Sequence, residues 1–359
     1  MRIRAVISVL ENFAPPALQE SWDNTGLQIG NPMDECSGAL LCLDVTEAVI
    51  AEAVDRGCNL VVSHHPLIFK GLKRISPATA VGRTVLAAIR AGVAVYSTHT
   101  ALDSTLGGVS YEMARMLGLR PVAVLDPKAA RSVRLEASVP EENADDARLA
   151  LLDCGCASTV TVSASRQSLG ENRDADSLDW ETEVEPRALV SVCVPDWELR
   201  NALSALDGLA LGSRIELHVS RLEDSSASLG LGVVARVPDG DGIPMSAFAE
   251  KVKRTFGVKR LRISSGVNPD APVRVVALCG GSGGEFIPNA VRAGADVYVT
   301  ADIRYHDFGD FNPEICLMDV GHFESEICTK DIFYRLLTKK IPNFAVYKSE
   351  LEKNPVNYL

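Results

Sequence analysis

ALLCLDVTEAVIAEAVDRGCNLVVSHHP, residues 39–66, holds two short apolar runs with a helical pattern between them. ALLCLDV reads as a buried strand. TEAVIAEAVDRG carries a Thr cap, apolar residues at helical spacing and a terminal Gly, and CNLVVS is a second buried strand. Strand, helix and strand in so short a stretch make a parallel unit, and that unit decides for an α/β fold. The second strand runs straight into His64-His65-Pro66, two of only six histidines in 359 residues.

The same rhythm extends in both directions. Residues 3–13 read as a helix, as do PATAVGRTVLAAIRAG (77–92) and VSYEMARMLGL (109–119), while VAVYSTHT (93–100) is a strand ending in a histidine. Three strand–helix units in a row predict a largely parallel sheet. Towards the other end, MSAFAEKVKRTFG (245–257) and IPNAVRAG (287–294) read as helices. VRVVALCGGSGGEF (273–286) is a strand running into a Gly-rich loop, ADVYVTAD (295–302) and EICLMDVGHF (314–323) are strands, and ESEICTKDIFYRLLTKK (324–340) reads as one long helix. The middle differs. RSVRLEASVPEENADDARLALLDCG (131–155) and EPRALVSVCVPDWELRNALSALDG (185–208) are each an alternating strand, a Val-Pro turn and an amphipathic helix, a weak internal repeat. The polar, acidic SASRQSLGENRDADSLDWETE (163–183) between them reads as a mobile loop. The expected architecture is two similar α/β halves, 1–128 and 225–359, forming one core, interrupted by a small inserted α+β domain, 129–224.

Composition excludes several classes. A hydrophobic content of 47% and a charged content of 23% are ordinary for a soluble globular chain. A formal charge of −11 argues against a general nucleic-acid-binding surface. No run approaches the ~20 apolar residues of a membrane helix. Glu11 breaks the apolar character of MRIRAVISVLENFAPPALQ, which argues against a signal peptide. Nine cysteines, scattered through apolar segments, read as free thiols of a reducing cytoplasm; Cys154 and Cys156 form a CxC, with a metal or redox role as the alternative.

The chemistry gathers at strand exits, where ligands bind in open α/β sheets. Pro66 ends the strand before it and holds His65 extended, so both adjacent imidazoles can face one cavity. If STHTALD (97–103) turns helically, His99 and Asp103 share a face. His322 and Glu326 in GHFESE (321–326) have the same four-residue spacing, with Glu324 pointing elsewhere. A lone histidine at a strand end is ordinarily a satisfied polar residue. Three exits that together present His, His, Asp, His and Glu point instead to divalent metal, and adjacent histidines make sense if each serves a different ion of a pair. Other motifs stay open. Trp22 in SWDNTGLQIG (21–30) either anchors a turn or lines a pocket. The LCGGSGGEF glycines (278–286) make either a tight turn or an anion cradle. His306 in TADIRYHDF (300–308) either supports the site or is structural.

SWDNTGLQIG, VVSHHPLIFKGLKRI (61–75), STHTALD, GGSGGEF, TADIRYHD and GHFESE, in this order, resemble the Nif-three-like family, whose bacterial members are labelled GTP cyclohydrolase 1 type 2 homologues. The resemblance covers roughly residues 1–125 and 225–359. It implies a dinuclear metal centre of zinc, iron or manganese held by His64, His65, Asp103, His322 and Glu326, with Asp103 or Glu326 bridging. It implies a supporting or proton-shuttling role for His99, and a toroidal homohexamer with metal sites facing an internal cavity. The middle is similar to the ferredoxin-like PII fold inserted in longer members, although 164–184 lacks that region's expected Cys-Ser-Phe and Gly-rich pattern. The label implies attack of hydroxide on the guanine five-membered ring. The expectation is a cytoplasmic metal-dependent hydrolase of a nucleotide-like or phosphorylated small molecule, acting away from membranes and nucleic acid. The rival is a non-enzymatic metal-binding, metal-delivery or hexameric scaffold protein.

Overall fold

The computed structural model describes all residues except 129–131, 156–158, 173–179, 223–228, 239 and 358–359. The chain forms two compact units, Met1–Lys128 with Ala227–Leu359, and Ala129–Ser226.

In the first unit the opening stretch folds as its pattern dictates. Ala39–Cys42 and Leu60–Ser63 are fully buried parallel strands joined by the helix Glu47–Asp55. The Thr46 side chain accepts the Val49 amide, a cap worth about 1 kcal/mol, and Gly57 takes φ 69° just past the last turn. A five-stranded sheet results, in the order Gly26–Ile29, Ala94–Ser97, Leu60–Ser63, Ala39–Cys42, Val346–Lys348. All its pairings are parallel except that of Gly26–Ile29. Apolar layers on both faces explain the unbroken apolar runs. Leu41, Leu60, Val62 and Tyr96 enter one core cluster, while Leu40, Cys42, Val61 and Val95 enter another.

The second sheet is mixed rather than largely parallel. Its order is Arg262–Ile263, Cys316–Asp319, Val297–Ala301, Val275–Ser282, Gly230–Arg236, Arg120–Pro127. The middle three strands, Cys316–Asp319, Val297–Ala301 and Val275–Ser282, are parallel, and the pairings outside them antiparallel. Tyr96, Met113, Phe248, Val299 and Phe333 share one cluster, so elements of both sheets bury a common core. The segment expected as one C-terminal helix is two, His322–Glu326 and Thr329–Lys340. The break at Ile327–Cys328 lets Glu326 turn towards a cavity while Ile332, Phe333 and Leu337 enter the core.

The second unit is an antiparallel sheet, Val160–Asn172, Trp180–Pro195, Ser132–Pro140, Glu216–Arg221, with helices Ala144–Asp153 and Leu199–Asp207 each following a Pro and a 3-10 turn. Val133, Leu135, Val190 and Val192 pack with Leu151 and Leu206. The polar stretch 163–183 is not a loop throughout. It extends the edge strand Val160–Asn172 and its neighbour Trp180–Pro195, paired out to Asn172↔Trp180, with 173–179 outside the described residues. An antiparallel hairpin is held by its main-chain ladder, so polar side chains do not prevent it. Cys154 is half-buried, and Cys156 lies outside the described residues. Among the described residues no helix is long and apolar enough to cross a membrane.

Candidate metal centre

His64 and His65 leave the Leu60–Ser63 strand with their amides still bonded to the carbonyls of Cys42 and Leu43, which fixes the backbone just where the pleat ends. Their rings lie 5.0 Å apart at 44°, so neither is turned to the opposite face. His99 and Asp103 stand on the short helix His99–Asp103, which follows the Ala94–Ser97 strand. His322 and Glu326 stand on His322–Glu326, beyond Cys316–Asp319. Residues 261 positions apart in the chain therefore meet. His65 Nε2 is 2.9 Å from Glu326 Oε2, His322 Nε2 is 3.0 Å from the same oxygen, and the two Nε2 atoms are 3.3 Å apart. His64 Nε2 lies 3.6 Å from Glu326 Oε1 and 3.7 Å from Asp103 Oδ1. Among the described residues, one ligand atom each of His64, His65 and Glu326 falls within 4.8 Å of the others.

Three buried atoms here lack any hydrogen-bond partner: His64 Nδ1, His64 Nε2 and Asp103 Oδ1. Burying such groups unpaired costs about 1–3 kcal/mol each, and neutral imidazole with carboxylate is a donor set for a divalent cation. The residues present fit a metal.

The electrostatics agree. Burial pushes the His64 imidazole down to about 4 despite the Glu326 charge beside it. Burial would raise Glu326, but the His64, His322 and His65 rings hold its carboxyl well below the usual range. Asp103 is pushed far up, by burial and then by the Glu326 charge. Burial opposes protonation of His65 and His322, yet hydrogen bonds donated to Asp44 and Glu326 raise His65 to about 10, and those donated to Glu326 and Asp302 raise His322 to about 9. Two carboxylates facing one another across imidazoles need positive charge between them, and protons supply it when nothing else does.

Carboxylates that the strand-exit count passed over orient the rings. Asp44 Oδ1 is 2.8 Å from His65 Nδ1, and Asp302 Oδ2 is 2.7 Å from His322 Nδ1. Each contact commits Nδ1 and turns Nε2 to the cavity. Both aspartates stand one or two residues past a parallel strand, in LCLD and VTAD, and that position was the available signal. Asp23, in the SWDN turn, does the same for His99: its Oδ1 is 2.6 Å from Nδ1, its Oδ2 accepts the Thr100 amide at 3.1 Å, and the Thr100 hydroxyl donates to it. These bonds hold Asp23 down near 2 against its burial and His99 at φ 32°, a conformation unusual for a non-glycine.

The cluster floors a cavity of about 460 Å³. Trp22 lines it rather than anchoring a buried turn, being 57% exposed, with its ring 5.9 Å from both Phe69 and His99. Leu231, Cys279 and Phe286 lie in the lining too. The glycines of LCGGSGGEF are a packing turn. A Cβ at Gly280 would strike Val109, one at Gly281 would overlap Glu326 Oε1, and one at Gly283 would strike Thr300 and Tyr298. His306 is not brought to the cluster; it lies edge-on to Tyr305 and lines a separate groove with Arg262 and Phe308.

The Duf34/NIF3 (NGG1p interacting factor 3) family model matches residues 1–355. The chain belongs to the Duf34/NIF3 family. A Duf34/NIF3 relative from Halalkalibacterium halodurans, called GTP cyclohydrolase 1 type 2 homolog, is 30% identical over 313 residues, 84% of this chain and 83% of its own length. A Bacillus subtilis protein of the same name is 29% identical over 372 residues, 99% of this chain and 98% of its own. Among solved structures, the Bacillus cereus protein related to NIF3 superposes with a TM-score of 0.85 at 29% identity, covering 100% of this chain and 99% of that one.

Proposed function

We propose that this Duf34/NIF3 chain holds two divalent cations per subunit on His64, His65, Asp103, His322 and Glu326, and that it hydrolyses a nucleotide-like or phosphorylated small molecule. The single observation that carries the reading is the buried, unpartnered set of His64 Nδ1, His64 Nε2 and Asp103 Oδ1 beside Glu326. The substrate class comes from the name borne by the relatives. Zinc, iron or manganese bound there supplies Lewis acidity for hydrolysis. The remaining work falls to the chain's own groups. His99, with Nδ1 committed to Asp23, has Nε2 left to take up or give a proton beside the cluster. Asp44 and Asp302 hold the rings of His65 and His322 in place. Trp22 and Phe69 line the cavity with aromatic surface that a bound molecule can meet.

The same reading takes the chain as two α/β halves, 1–128 and 225–359, around a PII-like insert, 129–224, in a cytoplasmic toroidal homohexamer. Light scattering on the purified protein measures that mass. Equilibrium dialysis followed by elemental analysis tests the metal reading, with about two cations per chain expected and binding lost in His64→Ala. A chain that takes up no zinc, iron or manganese overturns it. Turnover on a nucleotide panel, abolished in Asp103→Ala with the assembly intact, tests the hydrolase. Tight metal uptake with no turnover on that panel favours metal storage or delivery instead.

A further inference from the structure

The segment 349–356 follows the strand Val346–Lys348 and is pinned by groups that the proposed chemistry does not use. The Ser349 amide donates to Leu41 O at 2.8 Å, the last bond of that strand's ladder. The chain then leaves the sheet because Glu52, a buried carboxylate on Glu47–Asp55, collects it: the Ser349 hydroxyl donates at 2.6 Å, the Glu350 amide at 3.0 Å and the Leu351 amide at 3.4 Å. That turn returns Glu352 to the end of Ala39–Cys42. One oxygen, Glu352 Oε1, accepts the amides of both Leu43 and Asp44 at 2.6 Å, where a longer neighbouring strand would have supplied a carbonyl. The other carboxylate oxygen pairs with Lys330 at 2.9 Å, and the Glu352 side chain is 3% exposed. Two residues on, the Asn354 side-chain amide donates to Glu324 at 2.8 Å, on the helix that carries His322 and Glu326.

We propose that residues 349–356 are a strap that ties the end of Ala39–Cys42 to the helix His322–Glu326, and that Glu352 is a positioning residue that fixes the Asp44 backbone and through it the His65 ring. The inference rests on the metal reading for its affinity readout. Asp44 needs such a restraint. It lies beyond the end of its strand with its side chain 44% exposed, so without Glu352 it is free to turn to water. His65 Nδ1 would then lose its partner at 2.8 Å, and its Nε2 would lose its aim at the cluster. Outer groups that orient a ligating histidine are typically worth about 10–100-fold in metal affinity.

The test uses the full chain and zinc, titrated against a chromophoric chelator, with Glu352→Ala, Glu352→Asp and Glu352→Gln. Gln keeps an oxygen that can accept both amides, so zinc affinity stays within about twofold of the parent; Ala and the shorter Asp lose about tenfold. Ring nitrogen resonances recorded on the metal-free chain give a readout independent of metal. Glu352→Ala moves those of His65 and leaves those of His99, held by Asp23, in place. If Glu352→Ala does not fold, the Asp and Gln variants carry the same contrast. Unchanged zinc affinity and unmoved His65 resonances in folded Ala or Asp variants overturn the strap. If the parent takes up no zinc, the titration is repeated with iron and manganese; if it takes up none of the three, the metal reading falls and the His65 resonances alone decide the strap.

Discussion

Asp302 holds its place in a left-handed conformation, φ 54°, that short polar side chains tolerate better than others. From there its carboxylate accepts the Nδ1 proton of His322. Asp302→Asn preserves size but offers a weaker acceptor, so metal affinity, read by chelator competition, is expected to fall about 10–100-fold with little change in melting temperature. Equal affinity in the variant would make Asp302 a passive neighbour. Single residues also show where sequence reading reached and stopped. His64, His65, His99, Asp103, His322 and Glu326 stand out because imidazoles are scarce in this chain and the four-residue spacings fall on short helices. Asp44 and Asp302 stand out less: the chain has 47 acidic residues, a place just past a strand is their one mark in the sequence, and only proximity to an Nδ1 in three dimensions assigns each to a ring.

At the level of elements, the glycine-rich exit of Val275–Ser282 is set by crowding. Gly281 has φ 63°, and a Cβ there would overlap Glu326 Oε1. Gly294 has φ 68° with nothing within 4 Å of its missing Cβ. The pair separates backbone strain from crowding. Gly294→Ala is expected to cost about 1–2 kcal/mol of stability and no metal affinity. Gly281→Ala should add to that strain a loss of metal binding of at least tenfold, measured by dialysis. A second element-scale prediction concerns Val109–Met116, whose buried Glu112 accepts Arg115 at 2.6 Å and Arg335 at 2.7 Å. Burial would raise this carboxyl, but the hydrogen bonds from Arg115 and Arg335 hold it below its ordinary value. Its folded pKa thus lies below the unfolded one. The stabilisation is complete above the unfolded value, ~4.3, and is lost as pH falls through the folded value. Glu112→Gln should lower stability near neutrality by about 1–3 kcal/mol and flatten the fall of melting temperature below that value. An unchanged acid limb would show that the pair contributes nothing.

At the level of the whole molecule, the second unit leaves and returns through neighbouring strands of the first. Pro127 pairs with Gly230, and the Lys128 amide donates to Leu229 O at 3.0 Å, so the two crossing points lie side by side on an antiparallel ladder. Replacing residues 129–226 with a short turn makes Arg120–Pro127 and Gly230–Arg236 an ordinary hairpin. The shortened chain should unfold in one cooperative transition and bind metal with parental stoichiometry, since every residue of the cluster belongs to the first unit. Loss of binding in a folded, shortened chain would mean that the second unit takes part in the site.

The sequence by itself determined the strand–helix alternation, the strands Ala39–Cys42, Leu60–Ser63 and Ala94–Ser97, and the residues of the cluster, because apolar period and residue type are local properties. It also carried the family resemblance. Only the tertiary structure decided the antiparallel flanks of the second sheet, the hairpin that extends through polar residues, and the aspartates that aim the rings. Ladder bonds and ring-aiming hydrogen bonds depend on where the packed chain brings the two partners, and residue type and apolar period do not name which residues pair.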